Sequence, residues 1–236
     1  MKKKSRVVWL ENDCVFVVKL GKTTNNKISD GSALVQTYTF DYKQWLLAST
    51  SKGFKMKEFF ALDENNCLDC PYSGNQGNYG CYTHKFMQYS GFLSMLRSIK
   101  HTDLTPLTTE KRKDIYQMCF NRYVRFGTYG EPSLLPIDLV KGMSNYAKSW
   151  TGYTHQWAKP WDKEYGNWFM VSVHNQAQAD QANDHFRSFI STTIGDESAV
   201  QCPASKEAGY KSNCAKCGLC SGTQGKGKVD IKILEH

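Results

Sequence analysis

No apolar run in the 236 residues approaches the length of a membrane span, so neither a membrane-spanning role nor a membrane partner is expected. Behind the basic start, Met1-Lys-Lys-Lys-Ser-Arg6, the apolar run Val7 to Leu10 is too short for the core of a secretory signal. The expected location is therefore cytoplasmic. Proline is scarce, with six residues, and no low-complexity linker or internal repeat divides the chain. A Gly-x4-Gly-Lys-Ser/Thr loop for nucleotide phosphates is missing. So is a glycine-framed Ser, Cys or Thr that would mark a hydrolase nucleophile. The net charge of +8 lacks a focus: the bases are dispersed among Lys2 to Arg6, Lys52 to Lys57, Arg97 to Lys113 and Lys206 to Lys228. A nucleic-acid partner is compatible with that charge but is not favoured by its pattern.

What the chain does have is cysteine, nine of them. Cytosolic thiols stay reduced, so such a number points to metal rather than to disulfides. Cys14 and Cys119 stand apart in strand-like and helix-like surroundings and read as core packing. The other seven fall into two groups. The first is Cys67-Leu-Asp-Cys70-Pro-Tyr-Ser-Gly-Asn-Gln-Gly-Asn-Tyr-Gly-Cys81, a loop in which Gly74, Gly77 and Gly80 permit the positive φ of a tight wrap. Three thiolates on Cys67, Cys70 and Cys81 would leave a fourth position open for a substrate, cofactor or water. Alternatively, Cys119 or His84 would complete a closed structural zinc site. The second group, Cys202, Cys214, Cys217 and Cys220, holds enough thiolates for a full [4Fe–4S] cluster or a tetrahedral zinc. Two consecutive two-residue gaps with a remote Cys202-Pro203 are ferredoxin-like, whereas zinc sites use paired knuckles. The C-terminal Leu234-Glu235-His236 resembles a tag junction and carries no part of this reading.

The pattern of elements predicts α/β architecture. Val7 to Leu20, broken at Glu11-Asn12-Asp13, reads as a hairpin. Ala33 to Phe40 and Phe54 to Leu62 read as strands. A helix follows Cys81 with Phe86, Tyr89, Leu93 and Leu96 as its core stripe. Thr108 caps another helix, Thr108 to Phe120, with Glu110 in its first turn. Tyr123 to Gly127 is a strand, and Leu139, Val140, Met143, Ala147 and Trp150 mark the next helix. Strands at Gly152 to Gln156, Trp168 to Val173, Ile190 to Ile194 and Val229 to Ile233 complete the pattern, with a helix marked by Ala179, Ala182, Phe186 and Phe189. Alternating strands and helices imply a partial (β/α) barrel or an open, mostly parallel sheet. The expected organisation is a β extension over residues 1–53 that includes the hairpin, an α/β core over 54–200 and a cysteine-rich segment over 201–236. Function would gather at the carboxyl ends of the strands. There the Cys67 loop, the Gly127 to Pro132 turn, Tyr153-Thr-His155 and Ser172-Val-His-Asn175 would meet. His155 and His174 rank above His84 and His185 as ligands or bases. Ser172 and Asn175 are candidates for contact with a cofactor ribose, or for capping a strand end.

Val124-Arg-Phe-Gly-Thr-Tyr-Gly-Glu-Pro-Ser-Leu-Leu-Pro136 resembles the strand-and-turn segment of radical S-adenosylmethionine enzymes, in which Gly-Gly-Glu-Pro holds the amino end of the cofactor. Tyr129-Gly130-Glu131-Pro132 matches it with tyrosine at the first glycine. Cys81-Tyr82 is similar to the end of that superfamily's cysteine motif, although the gaps here are two and ten rather than three and two. The chain also resembles small phage proteins with a Cys-x2-Cys…Cys-Tyr start and a Cys-x2-Cys-x2-Cys end. What the resemblance implies is one open [4Fe–4S] cluster on Cys67, Cys70 and Cys81, with S-adenosylmethionine held by Gly130 and Glu131. It further implies an auxiliary cluster on the other four cysteines and an electron donor such as a flavodoxin or ferredoxin. The rival class is a non-enzymatic module in which zinc or iron–sulfur knuckles staple a basic surface for nucleic acid.

Overall fold

The computed structural model describes residues 4–77, 80–158, 160–192, 199–226 and 229–234. Strand β1 (Arg6–Glu11) pairs antiparallel with β2 (Cys14–Gly21), Glu11 facing Cys14. Only Asn12 and Asp13 remain for the turn, at φ 48° and 56°. Those paired left-handed conformations match the right-handed twist of a hairpin, and Asn and Asp tolerate them best after glycine. The second strand pairs antiparallel with β3 (Leu34–Asp41). Asp41 then caps helix α1 (Tyr42–Thr50), reciprocally with Gln44.

The expected strand at Phe54 to Leu62 is instead a short helix, α2 (Met56–Phe60), followed by α3 (Glu64–Cys67). The Glu58 side chain accepts from the Lys55 backbone N–H at 2.9 Å, which fixes the helical start. Phe59 and Phe60 are both fully buried; neighbours in a strand would point to opposite faces. Helix α4 (Phe86–Arg97) buries Tyr89, Phe92, Met95 and Leu96, while Phe86, expected in the core, is 71% exposed. Helix α5 (Thr109–Cys119) is capped by Thr108 as expected. Next come β4 (Tyr123–Tyr129), α6 (Ile137–Tyr146), β5 (Ser149–Thr151), β6 (Tyr153–Thr154) and β7 (Met170–Val173). The chain continues through α7 (Gln176–Ala182), β8 (Ser188–Thr192), β9 (Val200–Gln201), α8 (Cys214–Cys217) and β10 (Ile231–Leu234). Trp150 and Phe189, read as helical, lie in strands, and the expected strand end at Ile194 falls outside the described residues.

Two five-stranded sheets result, ordered β1-β2-β3-β4-β5 and β6-β7-β8-β10-β9. From β3 onward every pairing is parallel. The first sheet therefore carries the hairpin as an antiparallel edge on a parallel body, and both sheets are open. No closed barrel forms among the described residues. Gly152 alone separates β5 from β6. A Cβ there would stand 2.4 Å from the Phe169 ring, so the bend between the sheets is packed too closely for any side chain.

Helices α5 and α6 cover one face of the first sheet, burying Trp9, Phe16, Val35, Val124 and Phe126. Helices α1, α2 and α4 cover Val8, Val15, Val17 and Phe40 on the other. On the second sheet, α7 packs on Val171, Val173 and Ile190, and the cysteine-rich segment packs on Met170, Tyr153, Phe189 and Ile231. None of the described helices is long and apolar enough to cross a membrane.

Candidate metal centre

The first cysteine loop is clamped at its base. Asp63, fully buried, accepts from Gln44 Nε2 at 2.7 Å and from the Tyr129 hydroxyl, and its other oxygen lies 3.1 Å from His84 Nε2. Asp63 precedes Cys67 and His84 follows Cys81, so one buried contact ties both ends of the loop together. Leu68, between Cys67 and Cys70, sits at φ 50°, ψ −128°, a conformation costing a residue with a side chain about 1–3 kcal/mol. Gly77 takes φ 72° as the tight wrap requires.

The Gly130–Glu131 turn docks on this loop. The Glu131 N–H donates to the Asn66 carbonyl at 2.6 Å. A Cβ on Gly130 would lie 2.4 Å from the Thr39 carbonyl oxygen, so only glycine lets the turn approach β3. The Glu131 carboxylate is buried and accepts from the backbone N–H groups of Ser133 and His155, each at 3.1 Å. Burial pushes its carboxyl up from the ordinary range, and hydrogen bonds from Thr154, His155 and Ser133 offset part of that. His155 and His174 follow β6 and β7. Tyr72, two residues past Cys70, places its hydroxyl 3.0 Å from His174 Nδ1 and packs edge-on against both imidazoles. Burial, then the neighbouring His174, holds His155 down at about 4, which keeps it neutral at neutral pH. The adjacent Gln156 is buried, and neither of its amide atoms is paired among the described residues.

The carboxyl ends of the parallel strands thus gather the Cys67 loop, the Glu131 turn, His155 and His174, as the α/β pattern predicts. Ser172 lies on β7 opposite Phe189, on the face shared with Tyr153. Asn175 is occupied elsewhere, since its Oδ1 accepts from the Gln178 N–H at 3.0 Å and caps α7.

The second cysteine group is built differently. The backbone N–H groups of Cys214 and Ala215 donate to the carbonyls of Lys27 and Ile28, each at 2.9 Å, and the Gly152 N–H donates to the Cys220 carbonyl at 3.2 Å. Asn213 caps the single turn of α8. Cys202, Cys214, Cys217 and Cys220 line one small cavity with Thr151, Tyr153 and Ile231.

The donor chemistry of both groups suits a metal–sulfur centre. Burial pushes the Cys70 thiol up to about 12, and it raises Cys67 and Cys81 as well. The three thiols sense one another, and Asp63 and Glu131 add further negative charge around Cys67 and Cys70. Such thiols ionise only with a cation beside them. Burial likewise raises Cys202, Cys214 and Cys220. Among the described residues, no three or more His, Cys, Asp or Glu side chains are arranged to hold a metal ion, so ligation would require the thiols to turn toward a common centre. Cys14 and Cys119 are buried in the core. The feature that the sequence pattern did not single out is Tyr72, whose aromatic ring joins the two histidines. No protein-family model, no curated protein and no solved structure matches this chain.

Proposed function

We propose that the protein is an iron–sulfur enzyme of the radical S-adenosylmethionine type. Cys67, Cys70 and Cys81 would hold the open cluster, and Cys202, Cys214, Cys217 and Cys220 an auxiliary one. When bound, the open cluster and S-adenosylmethionine supply one-electron chemistry that starts a radical reaction. The observation that carries this reading is that the Cys67–Cys81 loop, the Gly130–Glu131 turn, His155 and His174 are tied together by direct contacts beyond the carboxyl ends of parallel strands.

The chain's own residues have definable roles there. The Asp63–His84 clamp fixes both ends of the cysteine loop. Gly130 lets the turn lie against β3, and Glu131 orients the His155 backbone. Neutral His155, and His174 with the Tyr72 hydroxyl at its Nδ1, form a hydrogen-bonding wall that can hold or move a proton at an imidazole nitrogen.

Anaerobic purification with iron, sulfide and zinc analysis tests the reading. Iron and sulfide are expected in stoichiometric amounts, with visible thiolate-to-iron absorption. Adding S-adenosylmethionine to the reduced protein is expected to perturb the electron paramagnetic resonance spectrum, and Glu131→Ala to weaken that effect. A colourless protein with stoichiometric zinc would overturn the proposal.

A further inference from the structure

A cleft of about 290 Å³ opens beside the turn that carries Cys217 and Cys220. Its volume is close to the lower end of the range for small-molecule sites. One wall is Lys148 with the first residues of β5, the edge strand of the first sheet. The facing wall is the segment from Ser221 to Lys226. Gly218 lies between the walls: a Cβ there would stand 3.6 Å from Lys226 Cδ and 3.7 Å from Ser149 Cβ. The aliphatic stem of Lys226 therefore runs alongside Gly218, within the cleft.

Both walls are fixed by hydrogen bonds that need no ligand. The Lys148 N–H donates to the Arg122 carbonyl at 2.9 Å, and the Ser149 hydroxyl donates to the Ala215 carbonyl at 3.2 Å. The Trp150 indole N–H is shared between the carbonyls of Trp168 and Ser221, at 2.9 and 3.0 Å. Opposite, the Ser221 hydroxyl donates to the Gly218 carbonyl at 2.7 Å and accepts from the Lys226 N–H at 3.2 Å. The Gln224 N–H donates to the Asn167 carbonyl at 3.0 Å. These bonds occupy the polar side-chain atoms of Ser149, Trp150 and Ser221. What remains for a ligand is the ammonium groups of Lys148 and Lys226 and the carboxamide of Gln224. None of the three has a hydrogen-bond or ion-pair partner among the described residues, and no acidic residue among them lines the cleft.

We propose that this cleft binds the phosphate group of a small molecule. Two separated ammonium groups act as point charges and match a tetrahedral group that carries up to two negative charges and offers oxygens in several directions. A planar carboxylate is matched better by a guanidinium fork, which no residue lining the cleft has. The Gln224 amide adds a neutral donor, and Trp150, its N–H already engaged, leaves carbon surface for the rest of the molecule. Because the walls are already in place, binding would order only the tips of three side chains. The inference goes beyond the enzyme reading and is independent of it, since no cysteine, histidine or metal takes part.

Isothermal titration calorimetry of the intact protein with inorganic phosphate, at fixed ionic strength, tests it. Saturable binding is expected, with a dissociation constant at or below about 1 mM. Lys148→Gln and Lys226→Gln should each weaken it about tenfold, the loss expected for one charged hydrogen bond. Both side chains are exposed, so the variants should keep the parent's melting curve. Lys52→Gln, at an exposed lysine outside the cleft, should bind phosphate as the parent does. Acetate at the same ionic strength should bind at least about tenfold more weakly than phosphate. Heat that never saturates, an equal loss in Lys52→Gln, or acetate binding as tightly as phosphate would overturn the proposal. Metal content does not enter the readout: a colourless zinc protein that binds phosphate through Lys148 and Lys226 would refute the radical reading and leave this one intact.

Discussion

The two cysteine groups solve opposite problems. The first is a long excursion, with ten residues between Cys70 and Cys81, held at its base by a buried acid–histidine contact and overlooked by two histidines. The second spans a gap as long, eleven residues between Cys202 and Cys214, but its backbone is hydrogen-bonded into a neighbouring loop and into the bend between the sheets. Its Cys202 and Cys220 belong to the same apolar cluster as Met170 and Ile231. On the proposed reading, an anchored rim would suit a site that admits a substrate, and ligands inside the core would suit one that holds a segment in place. The contrast teaches that spacing alone does not assign a role; what the intervening residues are attached to does.

Four substitutions or titrations sharpen that contrast. Cys217→Ser is expected to act most strongly: it should lower metal content and melting temperature together, because metal binding by a four-thiol site is linked to folding. A variant with its full metal load and the parent's melting curve would show that this group is not a ligand set. Asp63→Ala comes next. Removing a buried hydrogen-bond acceptor costs about 1–3 kcal/mol for each partner it served, measurable by denaturant unfolding. Proteolysis should then begin within residues 63–84 while the segment around the second group stays protected.

Acid titration separates the groups again. The His155 pKa is depressed in the fold to about 4, below the ordinary imidazole value of about 6.5. Its neutral form therefore stabilises the fold fully above pH of about 6.5, and that contribution is lost as pH falls toward about 4. His155→Gln should flatten the stability profile in that window; an unaltered slope would mean that other groups dominate it. The smallest effect is expected from Asn175→Ala, about 1 kcal/mol for a lost helix cap. Calorimetric titration with S-adenosylmethionine should be unchanged in this variant, and weakened binding would return Asn175 to the cofactor site.

Much of this arrangement is legible in the residues alone. The hairpin is readable because Asn12-Asp13 interrupts two apolar runs, and the meeting of four loops follows from the rule that parallel α/β sheets keep function at one edge. The helix at Phe59–Phe60 is not readable. Its aromatic residues have strand preferences, and burial between α1, α4 and the sheet overrides them. Phe86 is misplaced because the buried stripe of α4 starts at Tyr89 and runs through Phe92, Met95 and Leu96, with Leu93 partly buried beside it.

The Asp63–His84 contact also has a consequence for the order of events in maturation. It joins residues 21 positions apart, and in a chain-entropy description a cross-link around a loop of that size removes about 3 kcal/mol of disorder. That ordering comes from folding itself and needs no metal. The thiols of an empty protein would then already be confined to a small volume, and assembly would start from a high local concentration of ligands rather than from an open chain.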